Sequence, residues 1–273
     1  MIIFDSHFHL DPQGDCENAI RRFLKAGGTH LILVNKPYRD IEAGNFQREY
    51  EVTLSLTERA RGEGAKVYVA LGPHPVQLVR LRERVGLQKA IEKMREGYTL
   101  AFDHIIHGRA LCLGEVGRPH FDVPREVVDA SNSLLEEAFL QAKDAGCAVI
   151  LHTESATVKT FEELARMASK SGIPLQRVVK HYSPPFVLPG ETCGLMPSII
   201  ASRRNIREAL KKGTRFLMET DYIDDPERKD IVLPPDAVPL RTRELLKSGE
   251  LTESIAWKIH SDNPKETYGI DLK

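Results

Sequence analysis

Eight short apolar runs alternate with amphipathic helical stretches along nearly all of the 273 residues, which leaves few architectures open. The runs are MIIFDSH (1–7), HLILVN (30–35), KVYVALG (66–72), ALCLGEVG (110–117), AVILHTE (148–154), RVVKHYS (177–183), GLMPSII (194–200) and RFLMETD (215–221). Each is of the kind buried on both faces in a parallel sheet. Helical patterns lie between them: ENAIRRFLKAG, a long one within 39–62, one spanning 76–97, one over about 124–145, TVKTFEELARMASKSG and NIREALKKG. Gly27, Gly97, Gly146, Gly172 and Gly213 stand where helix C-caps are expected. Eight strand–helix units predict an α/β chain folded as a (β/α)8 barrel, one domain over 1–273. An open doubly wound sheet is the competitor, but no Gly-rich phosphate loop follows the first strand. The segment 223–240, with four prolines, breaks the rhythm and is expected to be a structured loop over the barrel mouth. A last helix is expected within 251–269.

Composition narrows the partners. Against 39 acidic residues stand 38 Lys and Arg, a net charge of -1, which argues against a basic, sequence-independent nucleic-acid sleeve but leaves room for a local anion pocket. A hydrophobic content of 41% suffices for a large core, and charge runs such as RLRERVG at 80–86 solvate helix backs. Cys16, Cys112, Cys147 and Cys193 are far apart and form no CxxC pair, so neither a disulfide framework nor a zinc knuckle is expected. No apolar run approaches the ~18–20 residues of a membrane span, and no signal pattern opens the chain. The expectation is a cytoplasmic protein without a membrane partner.

In such a barrel the C-terminal strand ends face the active site. There stand His7 and His9 after the first strand, His74 after the third, Glu115 after the fourth, His152 after the fifth, His181 after the sixth and Asp221 after the eighth. Residues i and i+2 of a strand share a face, so His7 and His9 point together. Imidazole and carboxylate suit zinc, manganese or iron. At least six such ligands converge if the barrel closes, enough for two divalent ions sharing a carboxylate. Glu115 is the natural bridge, having two oxygens where imidazole has one free lone pair. Asp221 is suited to orient or deprotonate a water. Taken singly, each has an ordinary explanation: Glu115 hydrogen-bonded to backbone, Asp221 capping a turn. His30, His104, His107, His120 and His260 are assigned structural roles.

The pieces FDSHFHLD (4–11), LGPHP (71–75), LGEVG (113–117), ILHTE (150–154), VKHYS (179–183), METD (218–221) and SDNPKETYG (261–269) together resemble the TatD family of metal-dependent hydrolases, within the amidohydrolase-like barrels. The resemblance implies one metal on His7, His9, Glu115 and Asp221, a second on Glu115, His152 and His181, and His74 near a substrate phosphate. It implies two divalent ions (zinc, manganese, magnesium or iron) and phosphodiester hydrolysis, notably exonuclease-type DNA cleavage, with removal of D-amino acids from charged tRNA in some relatives. A carbamylated-lysine site is disfavoured, since Glu115 stands where the lysine would be. The chain departs from the family at RPHFD (118–122), usually a Leu-Asp-Tyr-like stretch, at YSPPFVLPGETCG after His181, and at YIDDP after Asp221. It therefore resembles a divergent TatD-related branch.

Three functions follow. A phosphodiesterase or nuclease would use Arg118, Lys180 and His74 as substrate contacts, nucleic acid being the substrate. For Arg118 and Lys180 a structural ion pair beside the ligands is the alternative. No basic stripe with interleaved aromatics supports a processive single-strand enzyme. An amide, lactone or aminoacyl-ester hydrolase acting on a small molecule would use the same water. A non-catalytic metal-binding protein is the third, and has no need of a water-activating pair.

Overall fold

The computed structural model describes residues 1–227 and 232–272. In chain order the strands are β1 (Phe4–His9), β2 (His30–Val34), β3 (Lys66–Leu71), β4 (Cys112–Gly117), β5 (Val149–His152), β6 (Val178–Ser183), β7 (Met196–Ile200), β8 (Leu217–Glu219) and β9 (Tyr222–Ile223). The helices are α1 (Cys16–Ala26), α2 (Phe46–Gly62), α3 (Val76–Val85), α4 (Leu87–Ile106), α5 (Arg125–Ala145), α6 (Val158–Ser171), α7 (Pro189–Thr192), α8 (Arg203–Lys212), α9 (Ala237–Ser248), α10 (Glu253–Trp257) and α11 (Asn263–Tyr268). A wide π-type turn over Lys258–Asp262 joins the last two.

All pairings are parallel, in the spatial order β8-β7-β6-β5-β4-β3-β2-β1-β9. The sheet curls until β8 lies against β1, giving the expected α/β barrel in a single domain. That seam carries few ladder bonds. Instead the Asp5 carboxylate accepts from the Thr220 N–H at 3.1 Å and its hydroxyl at 2.8 Å, Ser6 Oγ donates to the Met218 carbonyl at 3.1 Å, and the Asp221 N–H to the His7 carbonyl at 3.1 Å. The short β9 takes up the free edge of β1, pairing Phe8 with Tyr222 and His9 with Ile223.

Alternation sorts the strand side chains. Ile32, Val34, Ala148 and Ile150 point into the barrel and pack with Phe4, Val179 and Leu217 above Tyr268, Ile270 and Leu272, which close its lower end. Leu31 and Leu33 point outward, against Phe23 of α1 and Leu56 of α2. Such fully buried side chains contribute ~1.5–3 kcal/mol each relative to exposure. The Asn-Pro element has a mechanical role, since Asn263 Nδ2 donates to the carbonyls of Thr214 (2.7 Å) and Phe216 (2.8 Å) and so pins the entry to β8.

Three expectations need correction. The stretch 76–97 is two helices, because Gly86 takes φ 82° and ψ 161° and turns the chain between α3 and α4. Gly97 is no cap but lies inside α4, where an added Cβ would stand 2.7 Å from the Phe46 ring. Close packing explains this glycine. The Pro-rich segment 223–240 begins in β9 and ends in α9, whose first turn accommodates Pro239. Its residues 228–231 lie outside the described ones. Among the described residues no helix is long and apolar enough to cross a membrane.

Candidate metal centre

The parallel register breaks within β1 between Asp5 and Phe8, within β4 between Leu113 and Val116, and within β6 between Lys180 and Ser183. His7, Glu115 and His181 sit in these irregular stretches. Such breaks re-aim side chains, and they are common beside active sites. Asp221 follows β8 with φ 48°, a left-handed conformation that Asp tolerates better than most residues.

Six strand-end side chains converge as expected. His7 Nε2 and His9 Nε2 lie 3.1 Å apart, and Asp221 Oδ1 stands 3.4 Å from His9 Nε2 and 3.8 Å from His7 Nε2. Glu115 is central. Its Oε1 is 2.9 Å from His152 Nδ1, 3.0 Å from His181 Nε2 and 3.6 Å from His7 Nε2, while Oε2 is 3.7 Å from both His9 Nε2 and His74 Nε2. The His7 and His181 rings stack with centroids 4.1 Å apart.

These atoms form three overlapping groups: His7, His9 and Asp221; His7, Glu115 and His181; and His74, Glu115 and His152, each with ligand atoms within 4.8 Å of one another. Ligands ~2.0–2.2 Å from a common ion stand ~3–3.6 Å apart, so most of these separations suit shared cations. His7 Nδ1 is buried without a hydrogen-bond partner. The donor set and its spacing therefore fit bound divalent metal.

Hydrogen bonds fix which ring nitrogen is free. His9 Nδ1 lies 2.9 Å from the Val34 carbonyl, which only accepts, so Nδ1 carries the proton and Nε2 offers its lone pair. At His74 the direction is opposite. The Val76 N–H donates to Nδ1 at 3.2 Å, leaving Nε2 as a donor toward the site. His181 Nδ1 is 3.3 Å from Glu219 Oε1, a charge contact too bent for a hydrogen bond.

Burial and charge work against each other here. Burial disfavours ionised Glu115, but His181, His152 and His7 outweigh it and hold the carboxyl well below its usual range. Burial, with His181 alongside, lowers His7, and burial lowers His74 and His152. His181 is the exception: burial disfavours its cation, yet Glu115 and Glu219 raise it to about 10.

The centre lies at the bottom of a cavity of about 980 Å³, also lined by His74, Lys180, Lys36, Arg39, Arg48 and Arg80. Lys180 is buried, its Nζ donates to the His181 carbonyl, and burial lowers it to about 8. Arg118 does not line the cavity. Its guanidinium is clamped by Glu154 (Nη2–Oε1 2.5 Å, Nε–Oε2 3.1 Å) and lies 3.5 Å from Glu163, which favours the ion-pair alternative.

Two residues were not expected here. Glu219 is fully buried and accepts from the Tyr182 N–H at 2.7 Å and from Ser198 Oγ while facing His181. It stands two positions before Asp221, and strand periodicity contained that signal. His120, assigned a structural role, instead lines the cavity with Nδ1 2.8 Å from His152 Nε2. His260 is structural as expected, held between the Phe4 backbone and Thr242, and His107 bonds its own helix end at the surface.

The family described as TatD related DNase matches residues 4–269. Uncharacterized protein MJ1127 of Methanocaldococcus jannaschii is 36% identical over 280 residues, covering 99% of this chain and 97% of that one. Among solved structures, the TatD homolog YJJV of Escherichia coli K12 superposes with a TM-score of 0.65 at 22% identity, covering 98% of each chain. The phosphotriesterase homology protein of Escherichia coli, complexed with phosphate in its active site, gives 0.62 at 14% identity, again over 98% of each. The chain belongs to the TatD-related DNase family of metal-dependent hydrolases.

Proposed function

We propose that the chain hydrolyses phosphodiester bonds of nucleic acid at two divalent ions, one held by His7, His9, Glu115 and Asp221, the other by Glu115, His152 and His181. The observation that carries this is the position of Glu115, one carboxylate within 3.7 Å of five imidazoles, at the junction of separate ligand groups. When bound, such ions lower the pKa of water toward ~7 and neutralise phosphate charge. Asp221, kept ionised against burial by the imidazoles of His9, His181 and His7 around it, orients the attacking water and takes its proton. His74 presents an N–H to a phosphate oxygen, and Lys180 adds positive charge beside His181. Water attacks phosphorus and the ester oxygen leaves, giving a phosphomonoester and an alcohol. Arg118 is excluded from substrate contact because two carboxylates hold it. The phosphate in the active site of the phosphotriesterase homology protein supports a phosphate-type ligand.

The test is metal content of the purified protein combined with hydrolysis of bis(p-nitrophenyl) phosphate and of short single-stranded DNA. Near two equivalents, with cleavage abolished by chelation and restored by metal, is the expected result. Two equivalents without phosphodiester cleavage would retain the centre and redirect the search to amides, lactones and aminoacyl esters. No metal after reconstitution would overturn the proposal.

A further inference from the structure

His120 lies in the RPHFD segment between β4 and α5, where the chain departs from the family pattern, and its ring is exposed. Its Nδ1 nevertheless stands 2.8 Å from His152 Nε2, while the other nitrogen of His152 faces Glu115 Oε1 at 2.9 Å. The His152 ring is thus held between a carboxylate and a second imidazole. A neutral imidazole carries one proton, and its position decides which nitrogen can act as a ligand. Glu115 only accepts, so alone it draws that proton to Nδ1 and masks the lone pair aimed at the centre.

We propose that His120 is a positioning residue that draws the proton of His152 to Nε2 by accepting from it, leaving Nδ1 bare toward the ion shared with Glu115 and His181. Imidazole suits this place because it accepts at one nitrogen while donating at the other, so the His120–His152 bond survives in either direction. When His152 turns its lone pair to the centre, His120 accepts at Nδ1 and carries its own proton on Nε2. Metal-bound histidines commonly donate their second N–H to such a partner, and loss of the partner typically costs ~10–100-fold in metal affinity. The inference rests on the two-ion reading and adds that its sites depend unequally on a residue outside both ligand sets. His9 has the Val34 carbonyl for the same purpose, so the His7–His9–Asp221 site does not need His120.

The experiment is a competition titration of metal-free protein with Zn2+ against a chromophoric chelator, comparing wild type with His120→Ala, His120→Phe and His120→Asn. Wild type is expected to bind two ions. His120→Ala and His120→Phe should keep one site at wild-type affinity and weaken the other 10–100-fold. Phe retains the ring's bulk without an acceptor, which separates hydrogen bonding from packing. His120→Asn places an amide oxygen near the position of Nδ1 and should restore most of the loss. Long-range 1H–15N spectra of zinc-loaded wild type should show His152 protonated at Nε2. Thermal melts of the metal-free proteins should coincide, because the side chain is exposed. Two unaltered sites in His120→Ala, equal weakening of both, or no rescue by Asn would overturn the proposal while the two-ion centre stands. A wild type that binds fewer than two ions would overturn both.

Discussion

At the scale of single residues, the site separates two uses of histidine by where each proton lies. His9 donates to the Val34 carbonyl and faces the centre with a lone pair, whereas His74 accepts from the Val76 N–H and faces it with a donor. On the proposed function, one residue holds a cation and the other meets an anion. His9→Ala tests this. It removes a ligand from the group His7, His9 and Asp221 and opens a gap onto the cavity, where water can meet the freed Val34 carbonyl. The loss of fold stability should therefore be ~1–2 kcal/mol. The variant is expected to fold, to bind about one equivalent of metal less, and to lose at least ~100-fold in phosphodiester hydrolysis. Circular dichroism, metal analysis and turnover check it together, and a fully active or an unfolded variant would contradict it.

At the scale of elements, α2 and α3 form one wall of the cavity, through Arg48 and Val52 from one helix and Val76 and Arg80 from the other. Behind that wall Gln77 Nε2 donates to Glu49 Oε1, while Glu49 Oε2 and Gln77 Oε1 are buried without partners. A protonated Glu49 satisfies both, its O–H donating to the Gln77 carbonyl in a closed acid–amide pair. Burial pushes this carboxyl from the usual 4.5 to about 8, against the Gln77 bond and the Arg80 charge. Below pH 4.5 Glu49 is protonated folded or unfolded. Between there and about 8 only the unfolded chain releases the proton, so stability falls as pH rises, and the loss is complete above the folded value. At ~1.4 kcal/mol per unit this amounts to a few kcal/mol. Glu49→Gln, with an uncharged donor in the same place, should match wild type near pH 4 and exceed it increasingly toward pH 8 in urea denaturation. Parallel pH curves would rule the pair out.

The strand ends were legible in the sequence because a strand buried on both faces reads as one apolar run, and His152 is the polar residue that stops such a run. Helix punctuation was less legible. The amphipathic phase continues through Gly86 and Gly97, and nothing local shows that one turns the chain while the other admits the Phe46 ring. Prolines hid α9, although Pro239 lies in the first turn, where its missing N–H costs little. His120 and the Glu49–Gln77 pair were invisible for another reason. Their contacts span 32 and 28 positions, and only the barrel brings them together.

At the scale of the whole molecule, a net charge of -1 leaves both signs of charge around the mouth, and what distinguishes the cations there is how each is paired. Lys36, Arg39, Arg48 and Arg80 line the cavity from the β2–α2 segment, α2 and α3, interspersed with Asp11, Asp40 and Glu42, while Glu154 and Asp225 supply further negative charge. The cations are not equally free. Lys36 is paired with Asp11, and Arg39 with Asp225 and Glu227. Arg48 makes only a 3.6 Å contact with Glu51, both side chains being largely exposed, and Arg80 has no ion pair among the described residues. On the proposed function, Arg48 and Arg80 are therefore the lining cations most available to phosphates beyond the reacting one. If both meet a single strand, each releases condensed counterions on binding, and the slope of log affinity against log salt should carry ~0.7 per contact. The double variant Arg48→Ala, Arg80→Ala should bind a short single-stranded oligonucleotide ~10-fold more weakly at low salt, flatten the slope by ~1.4, and converge on wild type at high salt. A minimal phosphodiester, too small to reach the rim, should turn over within about two-fold of wild type. Fluorescence anisotropy across a salt series reads the first effect and a chromogenic assay the second. Unchanged slopes would mean that longer substrates leave the centre by the other wall. Equal losses on long and short substrates would place these arginines at the reacting phosphate itself.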